Sequence, residues 1–167
     1  MKRRFFLFAC VFAVCGVSSA EDLEEIRISH FSGEPVPRFE TLRYAAANGR
    51  SGPSRDHKIV WRYERKGLPL LIIKESQNWR RVRDPDGDEV WVHARMLTDA
   101  KTVMLQHVTP LRKKADPSSP TLAQIDRGVI AEIEKCDDTS CRIDVQNHKG
   151  WVDKTALWGL NISEAGL

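Results

Sequence analysis

The chain has 167 residues, a length that suits one ordinary domain or two small ones, and carries 26 Lys and Arg against 23 Asp and Glu. Lys2, Arg3 and Arg4 account for the whole basic excess, so beyond position 20 the chain is close to neutral. That balance gives no support to generic nucleic-acid binding, which needs a basic excess to displace counterions.

The N-terminus reads as a unit of its own. Its basic start leads into an almost wholly apolar run, Phe5 to Val17, and then into the small residues Ser18, Ser19 and Ala20. Charge, apolar run and small residues in that order make a secretory signal peptide over 1–20. The apolar run falls short of the ~20 residues of a membrane-spanning helix, so no stable membrane span is expected after cleavage. An uncleaved N-terminal anchor is the alternative. Leu7-Phe8-Ala9-Cys10 looks like a lipobox, but cleavage before Cys10 would leave only Phe5 to Ala9 as the apolar region. Cys15 follows Val14, where a small residue is expected, so both cysteines read as apolar filler. Export is therefore expected, with the periplasm as the destination.

Residues 21–38 form a polar leader, acidic from Glu21 to Glu25 and proline-marked at Pro35 and Pro37, lying over the next domain or left mobile. From Phe39 the texture is β. Short runs of Val, Ile, Leu, Trp and Tyr are separated by turn clusters at Gly52-Pro53-Ser54, Lys66-Gly67, Asp84 to Asp88 and His148-Lys149-Gly150. Ile59, Trp61 and Tyr63 alternate with Val60, Arg62 and Glu64, which predicts a half-buried strand with an aromatic face. Only short helical turns are expected, at His93 to Leu97 and Asp153 to Leu157.

Those two turns mark an internal repeat. Trp91-Val92 with Leu97 matches Trp151-Val152 with Leu157, Gly67 matches Gly128, and Arg50 matches Arg112, with spacings that drift by one residue between 60 and 62. Trp79 to Asp84 aligns approximately with Cys141 to Asp144, which places Cys141 where the first repeat has Trp79. On that alignment the cysteine would offset part of a lost aromatic core. Each repeat is near the lower size that folds alone, and a closed or nearly closed barrel is its shortest stable solution because closure removes unpaired edges. The expected divisions are a first barrel over 39–99, a second over 100–160 and a tail over 161–167. Thr102 to Leu105 reads as a strand, which predicts an interface between the barrels.

Cys136 and Cys141 are the only cysteines beyond the signal. In an exported chain such a pair is expected to be bridged, across the polar turn Asp137-Asp138-Thr139-Ser140. A zinc site is the rival, and His107 and His148 are the nearest further ligands. The five His show no metal-type spacing, and no phosphate loop, paired-Asp motif or Ser nucleophile elbow is present. Asp84-Pro85-Asp86-Gly87-Asp88 lacks the downstream Glu of a calcium loop and reads as a hairpin turn. No cofactor, no metal and no catalytic residue is expected.

Asn48 to Ser54, Lys66-Gly67, Asn78-Trp79-Arg80-Arg81-Val82 and Val90-Trp91-Val92 resemble bacterial SH3-like (SH3b) domains, with Gly49 where the family has Val. Pro37-Arg38-Phe39, Lys66 to Pro69 and Ala156 to Gly159 resemble the exported double-SH3 group of proteobacteria, which also carries a Cys pair in its second repeat. The resemblance covers roughly residues 33–160 and implies an all-β chain of two tandem SH3-like barrels. It also implies a binding role, since related modules hold enzymes on the cell wall. The residues that suit such a role are Trp61, Tyr63, Trp79 and Trp91 beside Arg80, Arg81 and Arg83. Aromatics in an SH3 groove meet extended peptides, and Arg adds bidentate contacts to carboxylates. Peptidoglycan or an envelope peptide or protein is the expected partner; a structural or adaptor role without a groove is the alternative.

Overall fold

The computed structural model describes residues 26–99 and 102–161. The expected signal peptide over 1–20 with Cys10 and Cys15, residues 21–25 of the leader, and residues 162–167 of the tail lie outside the described residues.

Every regular element is a strand or a single 3-10 turn. The leader forms a two-stranded ribbon, β1 (Arg27–Ile28) with β2 (Pro35–Val36), and its Val36 is buried in the first core. The first barrel comprises β3 (Arg38–Leu42), β4 (Ala47–Arg50), β5 (Ile59–Tyr63), β6 (Pro69–Ser76), β7 (Trp79–Arg83), β8 (Glu89–His93) and β9 (Leu97–Thr98). The second comprises β10 (Thr102–Leu105), β11 (Thr109–Arg112), β12 (Thr121–Ile125), β13 (Ile130–Cys136), β14 (Ser140–Val145), β15 (His148–Asp153) and β16 (Leu157–Trp158). All pairings are antiparallel. The sheet order β5-β4-β8-β7-β6-β3-β9 recurs strand for strand as β12-β11-β15-β14-β13-β10-β16. The 3-10 turns Ala94–Met96 and Lys154–Ala156 fall where the two helical turns are expected from sequence.

Alternation builds each core. Leu70 and Ile72 point inward from β6, Val82 from β7 and Val92 from β8, all fully buried; Val103, Leu105, Ile143 and Val152 do the same in the second barrel. Register breaks at Ile72/Lys74 and Ile133/Lys135, and again at Gly49/Arg50 and Leu111/Arg112, so both sheets bend at the same places. Gly67 and Gly128 sit at φ +77° and +82°, and each donates its N–H to the last residue of the first strand of its barrel, Leu42 and Leu105. A Cβ is disfavoured at that φ, which is why glycine recurs there.

The structure corrects one alignment. Asn78 O accepts from Ala94 N and Thr139 O accepts from Lys154 N; Trp79 lies opposite His93, and Ser140 opposite Asp153. Ser140, not Cys141, is therefore the counterpart of Trp79, and Cys141 is the counterpart of Arg80. Matching the Arg that follows each residue slipped the sequence alignment by one. In a strand such a slip exchanges the two faces. The cysteine replaces no aromatic.

The barrels share an interface. Trp158 Nε1 donates to Pro69 O at 3.1 Å, Thr102 Oγ1 to Gly67 O at 2.8 Å, and Asn161 Oδ1 accepts from Phe39 N at 2.7 Å. Met104 of β10 belongs to the first core, and Phe39 meets the Trp158 ring edge-on.

Candidate functional site

On β7 the outer face carries Trp79, Arg81 and Arg83, and across from them on β8 stand His93, Trp91 and Glu89. Arg80 points the other way. Its neighbour across the β6–β7 hairpin is Glu75, whose side chain is only 1% exposed. Arg80 Nε lies 3.1 Å from Glu75 Oε1, close enough for charge attraction although not aligned as a hydrogen bond. Its Nη1 donates to Gln77 O and Trp79 O. Glu75 also accepts from Arg38 Nη1 at 2.7 Å and from Ser29 Oγ at 2.6 Å, which fastens the leader ribbon to the barrel. Burial works against the charge of Glu75, but the hydrogen bonds from Ser29, Arg38 and Ser32 and the charge of Arg80 outweigh it and hold the carboxyl below its ordinary range.

Of the seven groove residues expected from sequence, two are engaged inside the barrel. Arg80 is one. Tyr63 is the other: it is buried, and its hydroxyl donates to Asp84 Oδ2 at 3.3 Å. Burial first, and then the Asp84 carboxylate, push its ionisation far up. Asp84 Oδ1 accepts from the N–H groups of Asp86 and Asp88, so the Asp-rich loop is organised as a hairpin turn around that one carboxylate. Arg81 and Arg83 both pair with Glu89 at 2.8 Å. Trp91 is half-buried opposite Arg81, and Trp61 is exposed on β5, edge-on to Tyr63.

Two of the seven line clefts: Arg80 borders one of about 580 Å³ beside Glu34, Arg38 and Glu40, and Trp79 lines one of about 240 Å³. Its neighbours there come from four separate places: Arg50 on β4, Arg55 in the β4–β5 loop, Arg62 on β5, and His93 with Arg95 at the 3-10 turn. Ala47 and Met96 form part of its wall, and no acidic side chain lines it among the described residues. Sequence reasoning missed these cations because they lie up to 45 positions apart. The usable signal was His93, two residues after Trp91 and so on the same strand face. Trp79 and His93 pack edge-on at 5.2 Å, and His93 Nδ1 accepts from Arg95 N at 3.2 Å. Partial burial and then the charges of Arg95, Arg55 and Arg80 depress the histidine's proton affinity, leaving the ring neutral near pH 7. Arg50 Nη1 is held by the carbonyls of Arg55 and His57, which braces the loop.

The same place in the second barrel is filled. Ser140 and Asp153 stand where Trp79 and His93 do, Asp153 pairs with Arg112 at 3.3 Å, and there is no space for a water molecule. A larger cleft of about 640 Å³ lies between the barrels, but Arg43 and Lys66 share it with Glu132 and Asp144, so it has no net sign.

Cys136 and Cys141 are joined by a disulfide, with Cα atoms 4.0 Å apart, which removes both thiols from any zinc site with His107 or His148. The bridged pair is the counterpart of Glu75 and Arg80: each occupies the same cross-strand position. Among the described residues no helix is long and apolar enough to cross a membrane.

No curated protein matches the chain. Two solved structures from Trichomonas vaginalis are similar: NlpC2, at 12% identity and a TM-score of 0.34 over 73% of this chain and 48% of that one, and NlpC1, at 11% identity and a TM-score of 0.33 over 79% and 48%. The chain thus spans about half the length of each. The bacterial SH3 domain matches twice, over residues 43–99 and 107–159, one match on each barrel and together more than half of the sequence. The protein belongs to the bacterial SH3 domain family.

Proposed function

We propose that the protein is an exported, non-catalytic binding module of the cell envelope that holds an extended ligand, peptidoglycan or an envelope peptide, against its first barrel. The observation that carries this reading is the open cleft beside Trp79, at a place where the second barrel is closed. An aromatic wall beside several guanidinium groups suits a peptide with polar substituents. The disulfide supports an oxidising compartment, as does the signal-like N-terminus. Sedimentation of the purified protein with peptidoglycan sacculi tests the reading. Retention at low salt, abolished by Trp79→Ala with unchanged circular dichroism, is the expected result. No retention of the wild type at low salt overturns the cell-wall version.

A second reading, an adaptor in an envelope complex, is favoured by the edge strand β5, where Ile59, Val60 and Trp61 are all exposed in succession. A co-purifying protein partner that survives Trp79→Ala and is lost with Trp61→Ala would favour it.

A further inference from the structure

We propose that the first-barrel cleft selects a peptide bearing free carboxylates, and that each chain holds one such ligand. The inference rests on the binding-module reading above and gives it a ligand class.

The four guanidinium groups of the cleft are not equivalent. Arg50 is tied to two loop carbonyls, and Arg62 pairs with Glu64 in an exposed contact that solvent screens. The guanidinium groups of Arg55 and Arg95 meet no acceptor among the described residues. Two unpartnered forks on one cleft, with no carboxylate lining it, leave a concentration of like charge that an incoming anion relieves. His93 adds a neutral donor. Its Nδ1 accepts the Arg95 amide, so the ring proton sits on Nε2.

The walls decide between a bare ion and a peptide. Trp79, Ala47 and Met96 are apolar surface, which an inorganic anion does not use. The cleft's volume, about 240 Å³, is below the ~300–1,000 Å³ of ordinary small-molecule pockets and suits one or two residues of an extended chain. An apolar side chain against Trp79 with a carboxylate on Arg55 and Arg95 fills it. The single stoichiometry follows from the second barrel, where Asp153 already neutralises Arg112 and the space is closed.

The test is NMR titration of the full-length protein, read at the Trp79 indole and the His93 ring, together with calorimetry. The probes are the peptide Ala-Glu-Lys-Ala with free carboxylates, the same peptide with both carboxyls amidated, and inorganic phosphate. Saturable shifts at both rings, one peptide per chain and at least about ten-fold weaker binding of the amidated peptide are the expected results. Arg55→Gln and Arg95→Gln, both exposed and so expected to leave the fold intact, should each weaken the acid peptide about ten-fold and leave the amidated one unchanged. Equal binding of the two peptides, two peptides per chain, or displacement of the peptide by equimolar phosphate would each overturn the proposal. Retention on sacculi that needs Trp79 but ignores Arg55→Gln and Arg95→Gln would overturn the carboxylate inference and leave the binding module standing. Loss of all binding to sacculi and peptides overturns both.

Discussion

The two barrels have the same strand order, the same bulges and the same turns at Gly67 and Gly128, and three pairs of facing positions among their differences are instructive. Where the first has the buried ion pair of Glu75 and Arg80, the second has the Cys136–Cys141 disulfide. Where the first has Trp79 opposite His93, the second has Ser140 opposite Asp153. Where the first has Gly49 beneath Val90, the second has Leu111 beneath Gly150. The last exchange is one of volume: a Cβ on Gly49 would come within 2.6 Å of Val90 Cγ2, and one on Gly150 within 2.5 Å of Leu111 Cγ. The departure from the family's Val at position 49 is therefore compensated across the sheet. Charge follows the same division. Residues 38–99 carry 13 Lys and Arg against 9 Asp and Glu, and residues 102–160 carry 8 of each. One scaffold has thus been used twice, once with a basic cleft left open and once with that cleft filled and the hairpin covalently closed.

The largest way to break this comparison is at Glu75. Its carboxylate answers both Arg38 and Arg80, so Glu75→Ala leaves the largely buried Arg80 guanidinium without a counter-charge and Arg38 with Glu40 alone. Breaking a buried pair from one side costs about 3–5 kcal/mol, and urea denaturation should show a loss of that order. A loss below about 1 kcal/mol would mean that the ribbon and hairpin do not depend on the pair. Acid sharpens the test. The folded carboxyl titrates below its ordinary value of 4.5, so its contribution is complete above that pH and is lost as the pH falls from there through the folded value. Glu75→Ala should remove this part of the acid dependence.

The covalent counterpart gives the next effect. By the chain-entropy relation, a loop closed by cysteines five positions apart contributes about 2 kcal/mol, well below a long-loop bridge. Cys136→Ala with Cys141→Ala should lower the urea stability by about that amount. The Trp79 and His93 resonances should not move, because the bridge lies in the other barrel. Movement of those signals would show that the bridge supports the cleft through the shared interface at Met104 and Trp158.

Strand texture, the repeat, the turns and the cysteine pair were legible because each rests on a local signal: alternation, glycine at positive φ, polar turns and spacing. The site was legible at Trp79 and not at its neighbours. Arg80 reads like Arg81 and Arg83, since three basic residues almost in a row suggest one solvated face. Yet alternation on β7 turns Arg80 inward to a glutamate five positions earlier. Nothing in the local sequence says that Glu75 is buried. Arg50, Arg55, Arg62 and Arg95 converge only because the β4–β5 loop and the 3-10 turn meet beside β7, and no window of sequence contains that meeting.

The smallest effect asks whether charge or shape separates the barrels. The Arg112–Asp153 contact is a partly exposed pair, with Asp153 at 48% exposure, so Asp153→Asn should change stability by less than about 1 kcal/mol. It nevertheless frees Arg112 and makes the second site net positive, beside Lys114. If charge alone set the difference, the variant would take up a second acidic peptide in calorimetry. If shape sets it, stoichiometry stays at one, because the space, although Trp151 lines it, remains closed. The absence of any room for water at that place in the wild type favours the second outcome, and a measured second site would overturn it.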